Sequence, residues 1–146
     1  MGVPSVLFVC TGNICRSPVA EVICSKYTKG SIKTDSAGIS NHHVNEQADE
    51  RVFEIVSQHG IDISKHRARQ IRADDWMLFD YIVALDQKVY DVLLNMRPNT
   101  SISKVVLYGN IRDPYFCGRT GFHKMYEEIE TVMPKFLESN KIYNMS

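Results

Sequence analysis

The sequence predicts an α/β fold: a four-stranded parallel sheet, doubly wound, with helices on both faces. Three observations carry this. Apolar runs of strand character at residues 3–9, 32–37, 81–85 and 105–107 alternate with stretches of helical period, the pattern of right-handed βαβ units. The first run is apolar without alternation, as in a strand covered on both faces. That run also ends in a Gly-Asn turn leading to a helix, and such sheets bind ligands beyond the carboxyl ends of their strands.

The helices follow in order. Ser17 reads as an N-cap and Pro18 as the first helical residue, where a missing N–H costs nothing. Ala20, Ile23, Cys24 and Tyr27 then recur at helical spacing, and Gly30 supplies a stop. Ala48, Val52, Ile55, Val56 and His59 form a second stripe, ended by Gly60. A short helix is expected over 72–79, with Asp74 and Asp75 near its start. Asp49 and Asp86 read as helix caps with no further role. The helix after Asp86 presents Val89, Val92, Leu93 and Met96 to the core and stops before Pro98. Phe122, Met125, Tyr126, Ile129, Val132, Met133, Phe136 and Leu137 predict a long last helix, which Pro134 is expected to kink or break.

With 146 residues, the chain fits one domain over 1–146 and is long enough to bury a core. Lys and Arg number 17, as do Asp and Glu, so no basic excess points to nucleic acid or a membrane surface. Cys10, Cys15, Cys24 and Cys117 show neither zinc-ribbon pairs nor the density of a disulfide scaffold. The first residues lack a basic leader, and Gly2 with Ser5 fits a myristoylation signal poorly. No run reaches transmembrane length. A reduced, cytoplasmic, monomeric protein is expected.

The chemistry concentrates in C-T-G-N-I-C-R-S-P at residues 10–18. A thiol is a poor nucleophile until deprotonated, and helix N-termini and cations can lower a cysteine pKa to roughly 3.5–7.5. Cys10 precedes a turn whose N–H groups can converge on an anion, and the helix behind it adds its dipole. Gly12 permits φ > 0 and Asn13 tolerates it, so successive amides can form a nest. Arg16 brings a planar fork suited to two phosphate oxygens, and Ser17 can donate to the sulfur. The dinucleotide and nucleoside-triphosphate fingerprints are absent, as is C-x-x-C.

This motif, followed by Ala20 and Glu21, resembles the signature of the low-molecular-weight protein tyrosine phosphatases. Asp113, Pro114 and Tyr115 resemble that family's acid loop. Smaller matches lie at D-S-A-G (35–38), H-G-I (59–61) and H-R-A-R-Q (66–70), so the resemblance spans residue 6 to about 137.

The resemblance implies that Cys10 attacks phosphorus and forms a phosphocysteine. Arg16 and the amides of Thr11, Gly12, Asn13, Ile14, Cys15 and Ser17 would hold the phosphoryl oxygens. Asp113 would protonate the leaving phenolate and then activate water. No metal or other cofactor is implied. The partners would be phosphotyrosine-containing proteins, with inorganic phosphate as product.

Ser36 and His66 would support the loop through Asn13, although Ser36 also reads as a turn residue and His66 as a surface histidine. Tyr115 and Phe116 would wall the substrate ring, or else pack into the core. Phe116 stands where relatives often carry a second tyrosine, so one phosphorylatable hydroxyl is missing. Asn41, His42 and His43 would form the opposite rim. His42 takes the place of a large aromatic found in some relatives, and the His42–His43 pair lacks the further ligands of a metal site. Cys15 resembles the family's second cysteine, which can form a reversible disulfide with the nucleophile, but it also reads as an inert buried thiol. Arsenate reduction on the same fold needs a relay cysteine pair, and residues 81–96 contain none. A non-catalytic phosphate-binding module would lack the nucleophile or the acid, and both are present.

Overall fold

Six consecutive buried residues form the first strand, β1 (Ser5–Cys10), and they set the architecture. The coordinates are a computed structural model, which describes residues 3–145. Gly2, weighed above for acylation, lies outside them. The other elements are α1 (Arg16–Tyr27), β2 (Lys33–Gly38), α2 (Glu50–Gln58), α3 (Asp75–Leu78), β3 (Tyr81–Ala84), α4 (Gln87–Met96), β4 (Lys104–Leu107) and α5 (Gly118–Ser139). The strands form one parallel sheet in the order β2-β1-β3-β4. From β1 the chain steps to one side for β2 and then to the other for β3. The switch in strand order therefore falls at the carboxyl end of β1, beside Cys10.

The alternation of side chains along β1 divides the core in two. Val6, Phe8 and Cys10 pack with α1, α2 and α5 residues such as Ile23, Val52 and Ile129. Leu7 and Val9 pack on the other face with Trp76, Val89 and Leu93 from α3 and α4. Val6, Leu7, Phe8 and Val9 have no exposed surface, and each buried side chain of this kind stabilises the fold by roughly 1.5–3 kcal/mol.

Several boundaries differ from the sequence reading. β1 begins at Ser5, whose N–H donates to Asp80 Oδ2 at 2.9 Å, while Val3 is 64% exposed. α1 begins at Arg16, so Ser17 lies inside its first turn and is not the N-cap; Cys15 is, without a side-chain cap. The Ser17 hydroxyl is committed to Cys10 and Asn13 instead. Pro18 remains in the first turn, where its missing N–H has no intrahelical partner to lose. α2 starts after Ala48 and is capped by Asp49, which accepts from Arg51 N–H at 2.9 Å. α3 is a single turn rather than a helix over 72–79, because the buried Asp75 carboxylate is held by Arg69 and by Arg72 N–H. α4 buries Val89 and Leu93 in the core, with Tyr90 packed against them in part, and Met96 is exposed.

α5 runs unbroken through Pro134. Buried residues on both sides of the proline, from Phe122 to Leu137, hold the helix to the core and offset the hydrogen bond it lacks.

Candidate active site

The loop between β1 and α1 is shaped around Asn13. This residue is fully buried with φ of 62°, the left-handed conformation that asparagine tolerates better than most. Its own hydrogen bonds fix it there. Nδ2 donates to Ser17 Oγ (2.8 Å) and Ser36 Oγ (3.0 Å), and Oδ1 accepts from Arg69 N–H (2.9 Å). The carbonyl accepts from His66 Nε2 at 2.8 Å, which places a proton on that nitrogen. Burial holds His66 below the usual histidine range, partly opposed by its bond to Asn13.

Gly12 is not the left-handed residue of the turn. Its lack of a side chain matters sterically, since a Cβ there would lie 2.9 Å from the His43 ring. Gly38, at the end of β2, allows a closer approach: a Cβ would meet the Thr11 carbonyl oxygen at 2.7 Å. Ile39 and Ser40 N–H groups then bond to Cys10 and Thr11 carbonyls, each at 3.0 Å.

Cys10 Sγ sits 3.0 Å from Ser17 Oγ, and Ser17 N–H donates to it at 3.4 Å. Asn13 donates to the Ser17 oxygen, and the Ser17 hydroxyl has two acceptors within reach, the Cys10 sulfur at 3.0 Å and the Ala37 carbonyl at 3.4 Å. Arg16 is 2% exposed. Its Nη1 donates to Asp86 Oδ2 (2.6 Å) and to the Ile111 carbonyl (2.9 Å). Nη2 stands 3.5 Å from Thr11 Oγ1 and 4.0 Å from Asp113 Oδ2, on the cleft side. Burial works against the Arg16 charge, but Cys10 and Asp86 more than offset it and hold the guanidinium above its ordinary range. Cys15 is different. Burial, reinforced by Asp49, Cys10 and Asp113, pushes its thiol far up and favours the protonated form.

Cys10, Thr11, Gly12, Cys15, Arg16 and Asp113 line a cleft of about 230 Å³, together with Ile14, Ser40, His42, His43, Tyr115 and Phe116, while Asn13 and Ser17 are fully buried and are not among its lining residues. Asn41 is not among its lining residues. Asp113 is more than half exposed, and its Oδ1 accepts from Tyr115 N–H at 3.1 Å. Tyr115 and Phe116 meet edge to face at 5.0 Å; they are 40% and 93% exposed, so neither packs into the core. His43 is held by Glu46 Oε1 at 3.0 Å. Ser36 and His66 lie outside the cleft, behind Asn13.

Sequence reasoning assigned Asp49 and Asp86 to capping alone. Both do cap, and Asp86 Oδ1 accepts from Val89 N–H at 2.8 Å. Asp86 also orients Arg16. Its place just past β3, the neighbour of β1 at the switch point, was the available signal. Glu21 was named only as part of the motif; its Oε1 accepts from Ser36 Oγ at 2.7 Å. Burial lifts its carboxyl from 4.5 to about 7.

The arrangement sets a sulfur, a guanidinium and a carboxylate around one small volume, with the Ser17 amide and hydroxyl beside the sulfur. It can hold a tetrahedral oxyanion beside a nucleophile and place an acid on the open side. Comparison with known proteins agrees with this chemistry. A human low molecular weight phosphotyrosine protein phosphatase is 37% identical over 151 residues, covering 92% of this chain and 94% of its own. The crystal structure of Primo-1 superposes with a TM-score of 0.90 at 32% identity, covering 95% and 99% of the two chains. A drosophila arginine phosphatase superposes with a TM-score of 0.87 at 33% identity, covering 93% and 97%. The family profile described as low molecular weight phosphotyrosine protein phosphatase matches residues 5–143, and the chain belongs to that family.

Proposed function

We propose that the protein hydrolyses phosphotyrosine in protein substrates, and other aryl phosphates, through a phosphocysteine at Cys10. The observation that carries this reading is the 3.0 Å contact between Cys10 Sγ and Ser17 Oγ inside a loop whose Arg16 faces the same cleft. Ser17 Oγ and N–H stabilise charge on the sulfur, which then attacks phosphorus in line. The phosphorus–ester oxygen bond breaks as the sulfur–phosphorus bond forms. Arg16 and the loop amides hold the equatorial oxygens, where the transition-state charge resides. Asp113 gives its proton to the leaving phenolate, then takes one from the water that releases inorganic phosphate. No step is assigned to a metal.

The substrate class rests on Tyr115 and Phe116, whose exposed rings border the cleft beside the acid and suit an aromatic leaving group. A soluble cytoplasmic setting follows from the same reading. Among the described residues, no helix is long and apolar enough to cross a membrane.

Turnover of phosphotyrosyl, phosphoseryl and phosphoarginyl peptides, with chelator present, tests the proposal. The phosphotyrosyl peptide is expected to turn over fastest, and Cys10→Ser to lower its rate by about a thousandfold or more. Preference for phosphoarginine would move the substrate class toward the drosophila relative. Undiminished activity in Cys10→Ser would remove the mechanism altogether.

A further inference from the structure

Arg51, in the first turn of α2, joins parts of the molecule that are distant in sequence. Its Nε and Nη2 fork the Asp49 carboxylate at 3.0 and 2.9 Å, and Nη1 donates to the Tyr115 carbonyl at 3.1 Å. The guanidinium carbon lies 4.2 Å from the centre of the Phe122 ring in α5 and 5.4 Å from that of Tyr115. Asp49 in turn donates its N–H to the Ile14 carbonyl at 2.9 Å. A continuous chain of contacts thus runs from the phosphate-binding loop, through the start of α2, to the segment carrying Asp113, Tyr115 and Phe116.

Beyond Arg51, that segment is held by the buried Pro114 and by the 4.0 Å pair between Asp113 and Arg16. Residues 108–114 form neither helix nor strand. Ile111 is tied to Leu85 and to Arg16, and Cys117 N–H closes a local turn on Pro114. Among the described residues, the Arg51 bond to Tyr115 is the hydrogen bond that joins 112–116 to another element. Helix stability alone does not select an arginine here, because a cation in a first turn faces the positive end of the helix dipole.

We infer that Arg51 is a positioning residue, which holds the Asp113 segment over the phosphate-binding loop so that the acid meets the leaving-group oxygen. The inference rests on the reading of Asp113 as the general acid. The planar fork is what permits it, since one side chain grips a carboxylate, bonds a carbonyl and lies against two rings at once.

The test is leaving-group dependence, which a merely stabilising residue would not change. p-Nitrophenolate departs with little need of a proton, whereas phenolate needs one. In Arg51→Ala, kcat/KM for phenyl phosphate is expected to fall at least about tenfold further than for p-nitrophenyl phosphate. Alkylation of Cys10 by iodoacetate should stay within about twofold of wild type, because the phosphate-binding loop keeps its own hydrogen bonds. Arg51→Lys keeps a charge against Asp49 and so restores thermal stability, yet one ammonium cannot make the other contacts, and the substrate gap should persist.

Equal losses on the two substrates, a wild-type ratio in Arg51→Lys, or alkylation slowed in step with turnover would each overturn the inference. Asp113→Asn run in parallel separates the two claims. A substrate gap there without one in Arg51→Ala sinks only the role of Arg51. No gap in Asp113→Asn sinks the reading of the acid, and this inference with it.

Discussion

With its side chain Asn13 shapes the site from behind, away from the cleft. Its left-handed backbone costs of the order of 1–3 kcal/mol, and hydrogen bonds to Ser17, Ser36, Arg69 and His66 hold it in place. The sequence showed the residue types around it, because the loop motif is contiguous. It could not show Arg69, or the pairing of Arg16 with Asp86, since those partners lie far along the chain with no spacing rule to link them. Gly12 was misread for a similar reason: its neighbour across the loop is His43, and only the fold brings that ring close. Glu21 extends the network behind Asn13, and its titration is visible in stability. Its folded carboxyl titrates near 7 instead of 4.5, so the folded state keeps a proton that the unfolded state has released. Stability attributable to Glu21 is therefore lost as pH rises from about 4.5 to 7, and is constant above. Glu21→Gln keeps an acceptor for Ser36 and should flatten that slope, gaining about 2–3 kcal/mol over wild type at pH 8 and little at pH 4.5. Urea midpoints across that range check it, and parallel pH profiles for the two proteins would contradict it.

At the scale of elements, the patterns that were long and periodic were legible. The unalternating apolar run became β1, and the stripe from Phe122 to Leu137 became α5. Boundaries were less so, because caps compete with tertiary demands. Ser17 is a good N-cap by type, but the hydroxyl bonds to Cys10 and Asn13, and the helix begins without it. Residues 72–79 carry helical signals, yet Asp75 is drawn into a buried pair with Arg69 and the helix is one turn. In α5 the core overrides the local rule at Pro134. Replacing that proline by alanine removes the ring and restores an N–H donor to the ladder. Pro134→Ala is expected to stabilise the protein by about 1–2 kcal/mol, seen as a higher urea midpoint with unchanged slope. An unchanged or lower midpoint would show that the ring packs better than it breaks.

The whole molecule explains why the site lies where it does. A parallel sheet with β1 at its centre leaves a crevice where the connections diverge to β2 and β3, and Cys10 ends the strand at that crevice. α1 begins directly behind it, so Arg16 reaches the same cleft as Cys10. The long return through β4 brings Asp113 to the opening, about a hundred residues later in sequence. The central claim is that Cys10 carries the phosphoryl group during turnover. Asp113→Asn, mixed with p-nitrophenyl phosphate and quenched in alkali, where a sulfur–phosphorus bond survives, should accumulate the phosphoenzyme, since on the proposed mechanism p-nitrophenolate leaves with little need of an acid while the base that activates water is gone. Mass spectrometry of the quenched protein is expected to find one phosphoryl group, on Cys10, and none when Cys10→Ser is added. Turnover with no phosphoryl group on Cys10, or with the group on another residue, would contradict the account.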